Sequence, residues 1–259
     1  MVWLDEGGQQ SDLALISPPP TLRHFVEHFW VQKPVPQGVR RIVPDLNAHV
    51  IFWTTQERRG ILANCHIVGA RSTFFDLHAV GRGLTIGARL RPGALPELVR
   101  DSAARLTDRS VPLGDIAARS GPRLLEQMVE ASPREAVEHL AQFLSARLAS
   151  ATAPRSDLLD GVTSVFELAQ ALHRSRRSAY NRSTELVGLA PKLALRIHRL
   201  HKALFELNKG RSLADAAAIA AYADQAHFSR EAVCLLGESP TVWRRRRHCP
   251  FVQDNNRFP

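Results

Sequence analysis

The 259-residue sequence is poor in cysteine, with three, and in methionine and tyrosine, with two each. Cys65, Cys234 and Cys249 are odd in number and far apart, so they form neither a disulfide framework nor a Cys-x-x-Cys metal site. That usage fits a reducing, cytoplasmic setting. Long apolar runs are also missing, and no membrane span is expected. Met1 to Pro20 carries Asp5 and Glu6 but no apolar stretch leading to a small-residue cleavage site, so no signal peptide is expected.

Catalytic constellations are equally scarce. Asp224, His227 and Ser229 sit within six residues of one another on one expected helix and point in different directions, which argues against a hydrolase triad. His24 and His28 have the i,i+4 spacing of helical metal ligands. Flanked by Phe25, Phe29 and Trp30, they read better as the edge of a packed face. His49, His66 and His78 fall in strand-like segments without a spacing that binds them together. "GARLRPGA", Gly87 to Ala94, lacks the spacing of a phosphate loop and reads as a turn at a strand end. Arg89 and Arg91 alternate with Ala88 and Leu90 on one strand face, which makes them candidates to meet an acidic ligand. No metal, cofactor or enzymatic activity is expected.

What the chain does contain is a core's worth of apolar residues, 44%, and an uneven positive charge. Its length fits one large domain or two ordinary ones. The formal charge is +9, and residues 155–259 carry 17 Lys+Arg against 10 Asp+Glu, or +7 of it. A polyanion partner for the C-terminal part follows from that asymmetry.

The organisation changes along the chain. "HVIFWTT" and "LTIGARL" read as strands in an N-terminal region punctuated by Gly and Pro. "TLRHFVEHFW" reads as a short helix or a helix running into a strand, and "ALPELVRDSAARLT" as a helix. From Pro122 the apolar period becomes helical. Ser132, Pro133 and Glu135 mark a helix start by capping box. "SATAPRSD" then reads as a linker.

The basic region holds an internal repeat. Ser164 and Ser212 lie 48 apart, Gly188 and Gly237 lie 49 apart, and Pro191 and Pro240 lie 49 apart. Each copy opens with Ser and an acid three residues later, then gives a short helix, a turn, a second helix and Gly-x-x-Pro. The extra residue falls in the turn. "PKLALRIHRLHKALFELNKG" between the copies predicts one helix ending at Asn208-Lys209-Gly210. On it, His198 and His201 are expected at the surface or against a nucleic-acid backbone rather than as ligands. Such copies are helix-turn-helix units, whose second helix enters the major groove of double-stranded DNA. Arg forks onto guanine, Gln onto adenine, and small side chains allow close approach. The candidate base readers are Arg177, Tyr180 and Asn181 in the first copy, and Gln225, Ala226, His227 and Arg230 in the second. Ser175, Arg176, Arg182, Lys192, Ser229 and Arg244 are candidates for the phosphate backbone. The run Arg244 to Arg247 reads equally as phosphate contact or as a solvated helix end. Phe228, Ala232 and Leu235 share the opposite, core face, and Cys234 is expected as a small core residue.

These residues carry a resemblance. Asp157 to Arg247 resembles the DNA-binding domain of the AraC/XylS family of bacterial transcription regulators. The ordered string Leu213, Ala217, Tyr222, Asp224-Gln225, His227-Phe228-Ser229-Arg230, Gly237, Ser239-Pro240 is its strongest part. By position the family's base-reading sites fall on Arg177, Tyr180, Asn181, Ala226, His227 and Arg230. The chain departs from the pattern at Ala179, Asn181 and Ser183, at Ala221 where a Gly is usual, and at Ala232 where a Phe is usual. "VEHFWVQ", "RRIVPDLNAHVIF", "HIVGARS" and "TIGARLRPGALPEL" resemble an N-terminal domain attached to some such regulators, β-rich and cupin-like.

The expected fold is α+β: a mixed, β-rich N-terminal domain, with a cupin-like barrel implied by the resemblance, and a C-terminal all-α domain with two helix-turn-helix units. The expected divisions are 1–118 for sensing or assembly, 119–154 for a helical connector and linker, 155–250 for DNA binding and 251–259 for a tail. The expected function is sequence-specific DNA binding in transcription regulation, with a small-molecule effector at the N-terminal domain. A homodimer and contact with RNA polymerase are the further partners considered. An enzyme built on the β-rich domain, or a regulator acting mainly by protein contact, are the alternatives.

Overall fold

The computed structural model describes residues 13–32, 38–57, 60–79, 82–154, 159 and 161–246. Asp5, Glu6, Asp157, Arg247, Cys249 and the 251–259 tail lie outside them, as does the side chain of His78. Among the described residues eight strands build the N-terminal part: β1 (Leu13–Ile16), β2 (Val26–Gln32), β3 (Gly38–Ile42), β4 (His49–Glu57), β5 (Gly60–Val68), β6 (Phe75–Ala79), β7 (Arg82–Leu90) and β8 (Ser110–Pro112). Among the described residues they form a six-stranded antiparallel sheet, in the order β1-β2-β7-β4-β5-β8, and a two-stranded ribbon of β3 and β6.

Strand periodicity sends alternate side chains to opposite faces. Phe29, Val31, Val50, Phe52, Ile67, Ile86 and Ala88 belong to one buried core. The opposite face carries a row of register partners, His28, Arg89 and His49, and a second row, Trp30, Gly87 and Ile51. A Cβ on Gly87 would come within 2.4 Å of the Trp30 indole, so glycine there lets the ring lie across the sheet.

"TLRHFVEHFW" resolves into a 3-10 turn at Pro20–Leu22 followed by β2. His24 and His28 therefore share no helix, which removes the spacing on which a metal reading rested. "ALPELVRDSAARLT" is not one helix. It forms α1 (Leu95–Val99), which stops at Arg100 in the left-handed region, and a 3-10 turn at Ala103–Leu106. The break has a local cause, because Asp101 accepts from the Ser102 N–H and Ser102 caps the second turn.

α2 (Leu113–Ile116) leads into α3 (Ser120–Glu130) and α4 (Pro133–Leu148). Ser132 and Glu135 form the complete capping box at the start of α4. Leu124, Met128, Leu140 and Leu144 join the sheet's core, so α3 and α4 cover its apolar face.

Among the described residues six helices follow: α5 (Val165–Ala171), α6 (Arg176–Val187), α7 (Pro191–Asn208), α8 (Leu213–Ile219), α9 (Gln225–Leu236) and α10 (Pro240–Arg246). Their caps repeat as their sequence does. Ser164 and Ser212 accept from the N–H three residues on. Gly188 and Gly237 end α6 and α9 in the left-handed region. A second core forms around α7, including Leu200, Leu204, Phe228, Leu236 and Trp243. Val43, Leu46 and Ala70 of the N-terminal part belong to it as well.

Candidate nucleic-acid interface

The two turns of the repeat are built alike. In the first, the Arg174 N–H donates to Ala169 O and His173 takes a φ of 52°. In the second, the Tyr222 N–H donates to Ala217 O and Ala221 takes a φ of 58°. These are matched turns that redirect the chain from α5 into α6 and from α8 into α9. Ala223 is the extra residue, and it sits just before the Asp224 cap of α9.

Each second helix has a core face and an outer face. On α9, Phe228 and Ala232 have no exposed surface and Leu235 is buried. Burying a side chain the size of Phe228 contributes about 1.5–3 kcal/mol. Tyr222 packs on Phe228, with ring centroids 5.1 Å apart, and edge-on to His227. Gln225, Ala226 and Arg230 are exposed, while His227 and Ser229 are half-buried. Asp224 Oδ1 accepts from the His227 N–H at 2.6 Å, so this carboxylate is a helix cap. A bidentate pair between Arg196 of α7 and Glu231, at 2.9 and 3.0 Å, sets the helix on its support.

On α6, Ala179, Ser183 and Val187 are buried. Arg177, Tyr180 and Asn181 lie on the outer face at i, i+3 and i+4, all exposed. Ser175 caps the helix by accepting from the Ser178 N–H. Arg176 lies over the ring of exposed Phe166, and Arg182 pairs with Glu185 at 3.0 Å. Between the units, Thr163, Ser164, Lys192, Arg199 and His227 help line an open cleft of about 480 Å³. Lys192, Arg244 and Arg245 are exposed at its side of the molecule or on α10.

Several expected roles are corrected. Arg89 does not await an acidic ligand. Only 1% exposed, it donates to Glu27 at 2.9 Å, to Asp45 at 2.6 and 3.0 Å, and to Asn47 at 3.0 Å. Burial opposes the charge of Asp45, but the Arg89 guanidinium and the His49 hydrogen bond hold its carboxyl well below the usual range. Arg91 lies beyond the end of β7, and its Nε donates to Arg23 O, so it does not share the face of Arg89 as a strand partner. Cys234 is exposed rather than core, near the Arg196 guanidinium. His201 is buried rather than at the surface, and its Nε2 lies 2.6 Å from Pro44 O. Burial pushes its pKa below the ordinary value. Its sequence signal was the pattern of α7, because Ile197 and Leu204 bracket it at i−4 and i+3 on the buried face.

Two helix-turn-helix units on one shared helix, each with a polar and basic outer face, define a DNA-binding domain. Residues 168–246 match the family model described as a helix-turn-helix domain. The C-terminal part is a helix-turn-helix domain of the AraC type, which supports DNA binding by this part of the chain. Residues 14–112 match a domain of unknown function, DUF6597. Similar solved structures include an apo variant of ToxT from Vibrio cholerae, 11% identical with a TM-score of 0.43, covering 83% of this chain and 96% of that one. A second structure of ToxT from Vibrio cholerae is 10% identical with a TM-score of 0.42, covering 87% and 98%. Wild-type ToxT with a bound unsaturated fatty acid is 10% identical with a TM-score of 0.40, covering 82% and 96%. No curated protein matches the chain. Among the described residues no group of three or more His, Cys, Asp or Glu is placed to hold a metal, and no helix is long and apolar enough to cross a membrane.

Proposed function

We propose that the chain is a one-component, sequence-specific regulator in which α6 and α9 read two major grooves and the N-terminal domain takes the controlling signal. The observation that carries this reading is the pair of exposed outer faces, Arg177-Tyr180-Asn181 and Gln225-Ala226-Arg230, presented by matched turns on a common helix. His227 lines the second face, while Ser175, Arg176, Arg182, Lys192, Ser229 and Arg244 flank the two as phosphate contacts. The working divisions are 1–118 for the signal, 119–154 as connector, 155–250 for DNA and 251–259 as tail. Control acts by population shift: a small-molecule effector or protein partner bound at the first domain must have different affinities for the DNA-competent and incompetent arrangements. A second copy of the chain and RNA polymerase are the protein partners the reading expects. The chemistry is binding, not catalysis.

The test is DNA affinity by fluorescence anisotropy on a selected duplex and on random duplex. Affinity is expected to fall steeply with salt, as it does for phosphate-anchored proteins. Arg230→Ala is expected to weaken binding to the selected duplex by about 1–3 kcal/mol and to leave random duplex nearly unchanged. Equal losses on both would reassign Arg230 to the phosphate backbone, and a flat salt response would remove DNA as the partner.

A further inference from the structure

The N-terminal domain touches both reading helices at the same place in the repeat. At the end of α6, Thr107 Oγ1 donates to Gly188 O at 2.7 Å. At the end of α9, Arg41 Nη1 donates to Leu236 O at 3.3 Å. The two glycines that follow the helices make these approaches fit. A Cβ on Gly188 would come within 2.6 Å of Thr107 Oγ1, and one on Gly237 within 2.3 Å of the Phe74 ring. Both also take positive φ to end their helices, so glycine serves the cap and the contact together. A third contact falls between them, where His201 of α7 meets Pro44 O.

The gripping groups are themselves held. Arg41 forms a fork with Asp76, at 2.8 Å on both oxygens, and its guanidinium lies 4.4 Å from the Phe74 ring centroid. The Glu238 carboxylate stands 3.8 Å from Nη1. Thr107 closes the 3-10 turn at Ala103–Leu106. Behind Pro44, Asp45 is tied to Arg89 in the sheet. Carbonyls at a helix C-terminus carry partial negative charge and lack intrahelical partners, so a hydroxyl and a guanidinium are suitable donors to them.

From this geometry we infer that Thr107 and Arg41, with Phe74, are positioning residues for DNA reading: by holding α6 and α9 at their C-terminal caps they set the separation and angle of the two reading helices. This rests on the DNA reading proposed above. Contacts on α6, α7 and α9 tie the helical domain to the sheet domain. The spacing of the two base blocks in the operator then depends on the N-terminal domain as well as on α7. A signal reaching β3, the segment before β6 or the Ala103–Leu106 turn would change operator choice through these contacts.

The experiment is selection from a random 40-base-pair duplex library by the full-length chain, wild type and two variants, Thr107→Val and Arg41→Gln. Each variant removes one grip and leaves the outer faces of α6 and α9 untouched; the melting temperature of each is measured beside the selection. The wild type is expected to enrich two sequence blocks at one fixed spacing. Each variant is expected to enrich the same two blocks over a spread of spacings, with at least a tenfold smaller preference for the wild-type spacing over one altered by one base pair. Unchanged spacing in both variants overturns the positioning role, because a merely structural loss would lower affinity at all spacings alike. Failure of the wild type to enrich any sequence would overturn the DNA reading itself, and the positioning role with it.

Discussion

At Ala221 local backbone chemistry and sequence disagree. Its φ of 58° lies in the left-handed region, which costs an L-residue roughly 1–2 kcal/mol relative to glycine. Glycine gives back about 0.5–1 kcal/mol through the freedom of the unfolded chain. Ala221→Gly is therefore expected to stabilise the protein by about 0.5–1 kcal/mol, read as a higher denaturant midpoint at unchanged slope. A lower midpoint would mean that the turn tolerates alanine at no cost. His173 holds the equivalent position in the first copy, with a φ of 52°. The strain is a property of the turn geometry, then, and not of one substitution. Ser183 shows a different adjustment: buried in the core face of α6, it donates its hydroxyl to Leu189 O at 3.1 Å. A buried hydroxyl with a partner avoids the desolvation cost of one without.

At the scale of the element, the question is how firmly α9 is seated with alanine at position 232. Its site is closed to solvent. Ala232 has no exposed surface, and Phe228, Tyr222, Leu235 and Trp243 are buried in the same core. Close-packed interiors resist added volume. Ala232→Phe is accordingly expected to lower stability by about 1–3 kcal/mol, measured as a fall in Tm. A rise would show that a pocket for the ring persists. Helix seating also explains why the repeat was readable: Ser caps, Gly stops and i,i+3,i+4 apolar spacing act within one helix, and the structure follows them to the residue at α7. The segment after Pro92-Gly93 was less readable, because the apolar period continues through Asp101 and Ser102 while their side chains end the helix locally.

For the whole molecule, buried histidines make stability depend on acid. His28 is 2% exposed on the sheet, and neither ring nitrogen has a partner among the described residues. Burial pushes its pKa down to about 4, with Glu27 opposing and Arg89 and His49 reinforcing the shift. His201, at the domain contact, is lowered by burial as well. The folded state thus binds fewer protons than the unfolded state between about pH 6.5 and pH 4. Stability is complete above that window and is lost as pH falls through it, by about 3 kcal/mol for His28. His28→Leu is expected to flatten the acid limb of Tm against pH between 6.5 and 4, and an unchanged limb would assign it to other groups.

The amino-acid sequence alone determined the local events of the repeat: where its helices start and stop, the doubled unit, the outer faces of α6 and α9, and the basic bias of the C-terminal region. Each depends on residues a few positions apart, so its physics is present in the string. Only the tertiary structure decided what Arg89, His201, Arg41 and Thr107 do. Arg89 reads as a free cation on a strand until Glu27 and Asp45, 62 and 44 residues away, neutralise it. Thr107 and Arg41 carry no motif, and their partners lie 81 and 195 residues along the chain. Contacts of that separation arise when two cores are brought together, and their energies depend on burial and distance that no local pattern contains.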